Sequence, residues 1–104
     1  MSAYFKINPK GTTLKTPTAG SKSFTAKWTK QSTQTSGYQL QYSTSSSFTN
    51  AKTVTITSNN TTSKKITGLT AKKKYYVRVR TYKTVSGKYH CSSWSSAKAV
   101  TTKK

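Results

Sequence analysis

The amino-acid sequence predicts an all-β fold, a Greek-key sandwich of seven short strands. Apolar and polar residues alternate with a period of two in several short segments, as they do in strands that are buried on one face. Polar turn segments recur at intervals of about 8–12 residues, which is the spacing found in sandwiches. No segment repeats its apolar residues at the helical period. The length of 104 residues suits one domain.

The domain is expected to span residues 12–104, after a lead-in or linker at residues 1–11 that Asn8-Pro9 and Gly11 interrupt. The predicted strands are, in order, 12–18, 23–29, 38–43, 53–57, 62–66, 75–84 and 90–102.

The first two predicted strands have different places in a sheet. Pro17 suits an edge strand, because proline has no N–H to donate to a neighbouring strand; Ala19-Gly20 is then expected to turn the chain. In the second strand Phe24, Ala26 and Trp28 share one face. Trp28 is expected at the centre of the core, since a large aromatic side chain buries about 150–250 Å².

The third and fourth strands follow the same alternation. Tyr38, Leu40 and Tyr42 share one face of the third strand, and Val54 and Ile56 share one face of the fourth. A polar loop without apolar anchors, at residues 30–37, precedes the third strand. A polar turn at residues 44–50, which Phe48 is expected to pin, follows it, and both segments are expected on the surface.

The predicted arrangement of the other strands is built around the sixth strand. Tyr75, Val77 and Val79 fall on one face, and Leu69 lies six residues upstream across a polar turn. A buried leucine, a turn and a tyrosine that opens a strand predict a tyrosine corner, in which the hydroxyl bonds to the chain just upstream. The predicted core comprises Phe24, Trp28, Tyr38, Leu40, Val54, Ile56, Leu69, Tyr75, Val77 and Val79. Ser86-Gly87 predicts a tight hairpin turn into the last strand.

The charge of the chain is its most unusual property, with 19 Lys and Arg and no Asp or Glu. Two interpretations stay open. A natural protein could have been selected for contact with polyanions, or the acids could have been replaced deliberately by Ser, Thr, Asn and Gln. Nearly all the cations are lysines spread along the chain. Nucleic-acid binders more often cluster their charges and use arginine, so replacement is favoured.

A net charge of +19 is expected to attract non-specific polyanions in vitro, including nucleic acids, anionic membranes and wall polymers. The densest local group of lysines is the candidate contact site. It comprises Lys64, Lys65, Lys72, Lys73 and Lys74. The alternative is that these lysines form an ordinary solvated turn.

Catalysis and metal binding are not expected. General acid–base chemistry usually uses carboxylates or histidine, and this chain has no carboxylate side chain and one histidine. His90 and Cys91 are adjacent, and neighbouring strand residues point to opposite faces, so they cannot form a dyad. Zinc needs three or four protein ligands. We therefore predict no catalytic residue, no metal site, no cofactor and no small-molecule substrate.

The landmark residues of several strands together resemble a fibronectin type III domain over residues 12–102. They are Trp28, Tyr38-x-Leu40-x-Tyr42, Ile66-Thr67-Gly68-Leu69 and Tyr75-x-Val77-x-Val79. The segments GYQLQYSTSSSFTNAK and YYVRVRTY resemble fibronectin type III repeats of Gram-positive bacterial surface proteins. The resemblance implies an immunoglobulin-like, monomeric, non-catalytic spacer or interaction module, extracellular or attached to the cell wall, with neighbouring domains as its partners. Ala71 and the missing acids depart from that pattern.

The segment Cys91-Ser92-Ser93-Trp94-Ser95 resembles the WSxWS box of the cytokine-receptor members of this family. That resemblance implies a cation–π ladder of Arg78, Arg80 and Trp94 on the outward face of the sandwich. Cytokine binding does not follow from it.

A binding scaffold built on loops is a second alternative. The loops at residues 30–37 and 85–88 are expected at one end, but they hold mostly Ser, Thr, Gln, Gly and Lys. Binding surfaces made of loops are usually rich in Tyr and Trp, which argues against this alternative.

Overall fold

The computed structural model describes residues 11–31 and 35–104 and contains eight strands there. The strands are β1 (Thr18–Gly20), β2 (Ser23–Lys27), β3 (Gly37–Ser43), β4 (Lys52–Ile56), β5 (Ser63–Ile66), β6 (Lys74–Val85), β7 (Lys88–Cys91) and β8 (Lys98–Thr101). The expected lead-in lies outside the described residues, apart from Gly11.

The strands form two antiparallel sheets. One has the order β1-β2-β5; in the other, β4-β3-β6 is completed by β7 and β8, which both pair with β6. The prediction of an all-β sandwich is confirmed, and the strand number is corrected from seven to eight.

The core lies between the sheets and is built around aromatic side chains. Trp28 and Tyr38 pack with ring centroids 5.3 Å apart, and Phe24 contacts the rings of both Tyr42 and Tyr75. The predicted core residues are buried except Val54 and Leu69, which are half-buried and pack against the cluster. Leu14, Ala26, Ile66 and Val100 complete it.

The first predicted strand is wrong in its position. Leu14 forms only an isolated bridge with Trp28, and the regular strand β1 covers Ala19-Gly20, where a turn was expected. Pro17 lies between the bridge and β1, and a proline cannot donate the hydrogen bond that would join them into one ladder. The turn comes later, at Lys22, whose φ is 50°.

The last predicted strand is also wrong, since β7 and β8 are separate. Residues 92–97 still run along β6, but serine hydroxyls there replace some of the backbone hydrogen bonds of the ladder. Ser92 Oγ accepts from Thr81 N at 3.0 Å, and Ser95 Oγ accepts from Val79 N at 3.0 Å. Serine side chains can form such hydrogen bonds in place of backbone groups. The segment therefore satisfies backbone N–H groups of β6 without forming a regular strand.

Two predicted turns are present. Thr70 N donates to the Tyr75 hydroxyl at 3.1 Å, which is the upstream bond expected of a tyrosine corner. Ser86 and Gly87 have φ of 50° and 79° between β6 and β7, and two positive φ values are typical of a tight type I′ hairpin.

Candidate functional site

The outward face of β6 carries the arginines, because the inward positions are taken by Tyr75, Val77 and Val79. Arg78 and Arg80 therefore lie two residues apart on the same face, both half-buried. Their cross-strand partners on β3 are Gln41 and Gln39. Directly opposite residues of antiparallel strands share a face, so the two glutamines lie beside the two arginines.

A stack of aromatic rings and guanidinium groups covers this face. The Arg78 guanidinium lies 4.1 Å from the centroid of the Phe48 ring and 4.5 Å from that of Trp94. The Arg80 guanidinium lies 4.2 Å from the Trp94 centroid. The structure thus brings the three predicted ladder residues together and adds Phe48. We call Phe48, Arg78, Trp94 and Arg80 the arginine ladder.

Hydrogen bonds fix the two guanidinium groups in place. Arg78 Nε donates to Gln41 Oε1 at 2.7 Å, and Arg80 Nε donates to Gln39 Oε1 at 2.9 Å. Each arginine is therefore held both by a ring and by a neighbouring strand. Burial, and secondly the charge of Arg80, lower the pKa of Arg78 from its ordinary value.

The sequence missed three residues of this face. Gln39 and Gln41 alternate with core residues on β3, and pairing that strand with β6 would have placed them beside the arginines. Phe48 lies in the loop after β3 with a φ of 59°. No periodic pattern in the sequence around Phe48 predicts that its ring packs on Arg78.

The lysines predicted to contact polyanions lie on β5 and at the start of β6, which belong to different sheets. Lys65 pairs with Thr25, whereas Lys64 pairs with the buried Ala26, so the two side chains leave opposite faces of β5. Lys72, Lys73 and Lys74 belong to the turn before β6 and to its first residue, in the other sheet.

Other lysines, far away in sequence, join Lys73 at one end of the sandwich. Lys22 N donates to Lys103 O at 2.9 Å, and Thr102 N donates to Lys73 O at 3.0 Å. We call this region the basic end; it comprises Lys22, Lys72, Lys73, Lys74, Lys103 and Lys104. Only tertiary contacts reveal it. A cleft of about 450 Å³ lies near it, with Lys52 and several hydroxyl groups in its lining.

The structure also places His90 and Cys91, the two residues considered for catalysis. Cys91 Sγ lies 3.9 Å from Gln39 Oε1, and His90 is paired with Lys83 across the β6–β7 hairpin. Within residues 11–31 and 35–104, no three His, Cys, Asp or Glu side chains come together as metal ligands. The same residues contain no helix long and apolar enough to cross a bilayer.

The described parts of the loops of the scaffold alternative lie at the opposite end. Residues 32–34 lie outside the described part of the chain. Tyr89 is 53% exposed and stacks on Tyr82, with centroids 4.7 Å apart and planes 9° from parallel. A single exposed tyrosine does not make the aromatic surface that such a binding site uses.

Comparison with solved structures identifies the fold. The FN1–FN3 domains of chicken CNTN1 match with a TM-score of 0.74 and 22% identity over 90% of this chain, which spans 32% of that one. The fn3 domain of human contactin 1 matches with a TM-score of 0.77 and 17% identity, covering 100% of this chain and 86% of that one. A β-1,2-glucanase from Parabacteroides distasonis matches at 0.74 and 17% identity, over 90% of this chain and 12% of that one.

These identities show the fold alone, and no curated protein matches the sequence. The model of the fibronectin type III domain, a domain type that is generally non-catalytic, matches residues 8–98. That match covers most of the chain and both sheets, and with the sandwich topology it shows that the chain belongs to the fibronectin type III family.

Proposed function

We propose that this chain is a spacer or accessory module of a larger extracellular or wall-attached bacterial protein. The supporting observation is the path of the chain. Gly11 O accepts from Gln31 Nε2 at one end of the sandwich, and Ser21 Oγ donates to Lys104 O at the other. A domain that is entered at one end and left at the other holds its neighbours apart in series.

Small-angle X-ray scattering of two copies joined head to tail tests this proposal. We expect a monomeric particle with a maximum dimension close to twice that of the single domain. A particle hardly longer than one domain would mean that the copies fold back on each other, and the spacer proposal would then be wrong.

The second part of the proposal concerns the charge. The acids have been replaced deliberately, and the lysine surface attracts polyanions without an organised site. The support is that lysines occur along the whole sequence and that the adjacent Lys64 and Lys65 lie on opposite faces of β5. The alternative, a natural polyanion-binding module, is favoured only by the basic end, where tertiary contacts gather lysines from three parts of the chain.

Binding to a mixed-sequence DNA duplex across a salt series separates the two. Passive attraction through counterion release predicts that affinity falls by about a thousandfold or more between roughly 50 mM and 200 mM salt, with no sequence preference. DNA that remains bound at about twice physiological ionic strength would instead indicate an organised nucleic-acid site, and charge-neutral variants of Lys22, Lys73 and Lys103 would locate it.

A further inference from the structure

We propose that the arginine ladder is a built binding site for the carboxylate or sulfate groups of an acidic polysaccharide. The proposal deepens the polyanion attraction of the preceding section and rests on it for the approach of the ligand. The lysines attract polyanions by charge alone, whereas the arginine ladder binds individual anionic groups through side chains that are fixed in position.

The guanidinium groups are already immobilised. Each contacts an aromatic ring within 4.5 Å and donates its Nε–H to a glutamine on β3. An arginine side chain loses rotamer entropy when a ligand has to fix it. Here the fold has imposed most of that loss in advance, so a ligand gains affinity by preorganisation.

No described residue accepts a hydrogen bond from the remaining donors of the two guanidinium groups. A guanidinium has five N–H groups, and only one on each arginine is used by a described residue. Pairs of arginine and carboxylate are frequently bidentate, with two parallel N–H···O bonds, but this chain contains no Asp or Glu. A carboxylate or sulfate from outside the chain supplies the two oxygens that this arrangement takes.

The shape of the face fits a linear polymer. Lys74, Arg78 and Arg80 lie along the outward side of β6, with the Lys74 ammonium 5.4 Å from the Tyr76 ring centroid. At about 3.3 Å per residue, the row from Lys74 to Arg80 extends over roughly 20 Å. Several charged groups of an extended polysaccharide can therefore contact this row at once.

The ladder favours a polysaccharide over a nucleic acid. Single-stranded nucleic acids gain much of their affinity by stacking bases on exposed aromatic rings. The Trp94 ring already contacts two guanidinium groups, and the Phe48 ring contacts one. Oxyanion recognition by arginine needs no free ring, so this surface offers it in full to a polysaccharide. A nucleic acid would contact the two arginines through its phosphates alone, without the stacking on these two rings that raises the affinity of single strands.

The deciding experiment exchanges the arginines without changing the charge. Arg78→Lys/Arg80→Lys keeps the net charge but removes the planar two-pronged donors, and Lys64→Gln/Lys65→Gln, which removes two charges elsewhere, is its control. Titration calorimetry would follow dextran sulfate, polygalacturonate and duplex DNA at about 0.15 M ionic strength. We expect the arginine exchange to weaken polysaccharide binding about tenfold or more, the control to weaken it less, and DNA binding to follow charge alone.

The two polysaccharides identify the ligand group, because dextran sulfate offers only sulfates and polygalacturonate only carboxylates. Selective loss with either polymer supports the site and names its ligand. Unchanged polysaccharide binding by the arginine exchange would overturn the ladder site while leaving lysine attraction intact. Absence of binding to any polymer at low salt would overturn the attraction proposed above as well.

A spectroscopic measurement on the unaltered protein covers the case in which the exchanged variant does not fold. The chain has only two arginines, so its NMR spectrum contains two side-chain Nε–Hε signals. Binding at the ladder shifts both signals at low polysaccharide concentration, before the backbone signals of Lys64 and Lys65 move. Simultaneous small shifts of all lysine-bearing segments would contradict the proposal.

Discussion

Removal of a single hydroxyl oxygen from Tyr38, Tyr75 or Tyr42 should have very different costs. The Tyr38 hydroxyl accepts from Gln31 N at 2.8 Å and donates to Asn59 O at 2.8 Å. It joins the loop after β2 to the loop after β4, and the side chain is completely buried. The Tyr75 hydroxyl accepts one bond, and no described residue hydrogen-bonds the Tyr42 hydroxyl.

The magnitudes follow from these bonds. An intramolecular hydrogen bond contributes about 1 kcal/mol net, within about 0.5 kcal/mol. Tyr38→Phe removes two such bonds and should cost about 2 kcal/mol. Tyr75→Phe removes one and should cost about 1 kcal/mol, while Tyr42→Phe should stay within about 0.5 kcal/mol of the parent. For a domain of this size, the Tyr38 variant should melt about 10 °C lower.

Urea unfolding followed by tryptophan fluorescence measures all three variants. The Trp28 ring lies 5.3 Å from the Tyr38 ring, so the signal reports on the affected region. The three changes are chemically identical, and the dependence on urea should keep its slope while the midpoint moves. Equal losses for the three variants, or a larger loss for Tyr75→Phe than for Tyr38→Phe, would refute this reasoning.

Three further predictions concern close packing, pH and salt. A Cβ on Gly37 would lie 2.0 Å from Ile56 O, so Gly37→Ala should lower the free energy of unfolding in urea by about 3 kcal/mol or more. Gly11→Ala should be almost neutral, because the nearest neighbours of a Cβ there are 3.9 Å away. Similar urea midpoints for the two variants would contradict this prediction. Burial, and secondly Tyr89, raise the pKa of Tyr82. Its stabilising contribution is therefore complete below the unfolded pKa of about 10 and is lost as the pH rises through the folded pKa. Tyr82→Phe should gain stability relative to the parent above about pH 10, and a pH-independent difference would count against it. Because the chain has no acidic side chain to pair with its lysines, its melting temperature should rise with added salt as repulsion is screened, the Debye length falling to about 3 Å at 1 M; calorimetry that shows a flat or falling response would mean that the charges are too dispersed to matter.

The sequence alone was sufficient for features that depend on one strand at a time. Period-two alternation told which residues face inward, so Phe24, Trp28, Tyr38 and Val77 could be placed in the core before any pairing was known. It also placed Arg78 and Arg80 on one outward face. The tyrosine corner could be predicted as well, because its hydroxyl bonds only five residues upstream, from Thr70 N to Tyr75.

Features that depend on contacts between distant segments were decided by the tertiary structure. Alternation assigns a face but not the neighbour across a strand pair, so it could not place Gln39 and Gln41 beside the arginines or fold Phe48 over Arg78. The last predicted strand is in fact two strands, because serine hydroxyls between them replace part of the backbone ladder with β6. The pattern of apolar and polar residues does not indicate such side-chain hydrogen bonds. The basic end arose where the C-terminus met the turn after β1, since lysines distant in sequence become neighbours only when backbone hydrogen bonds close the sandwich.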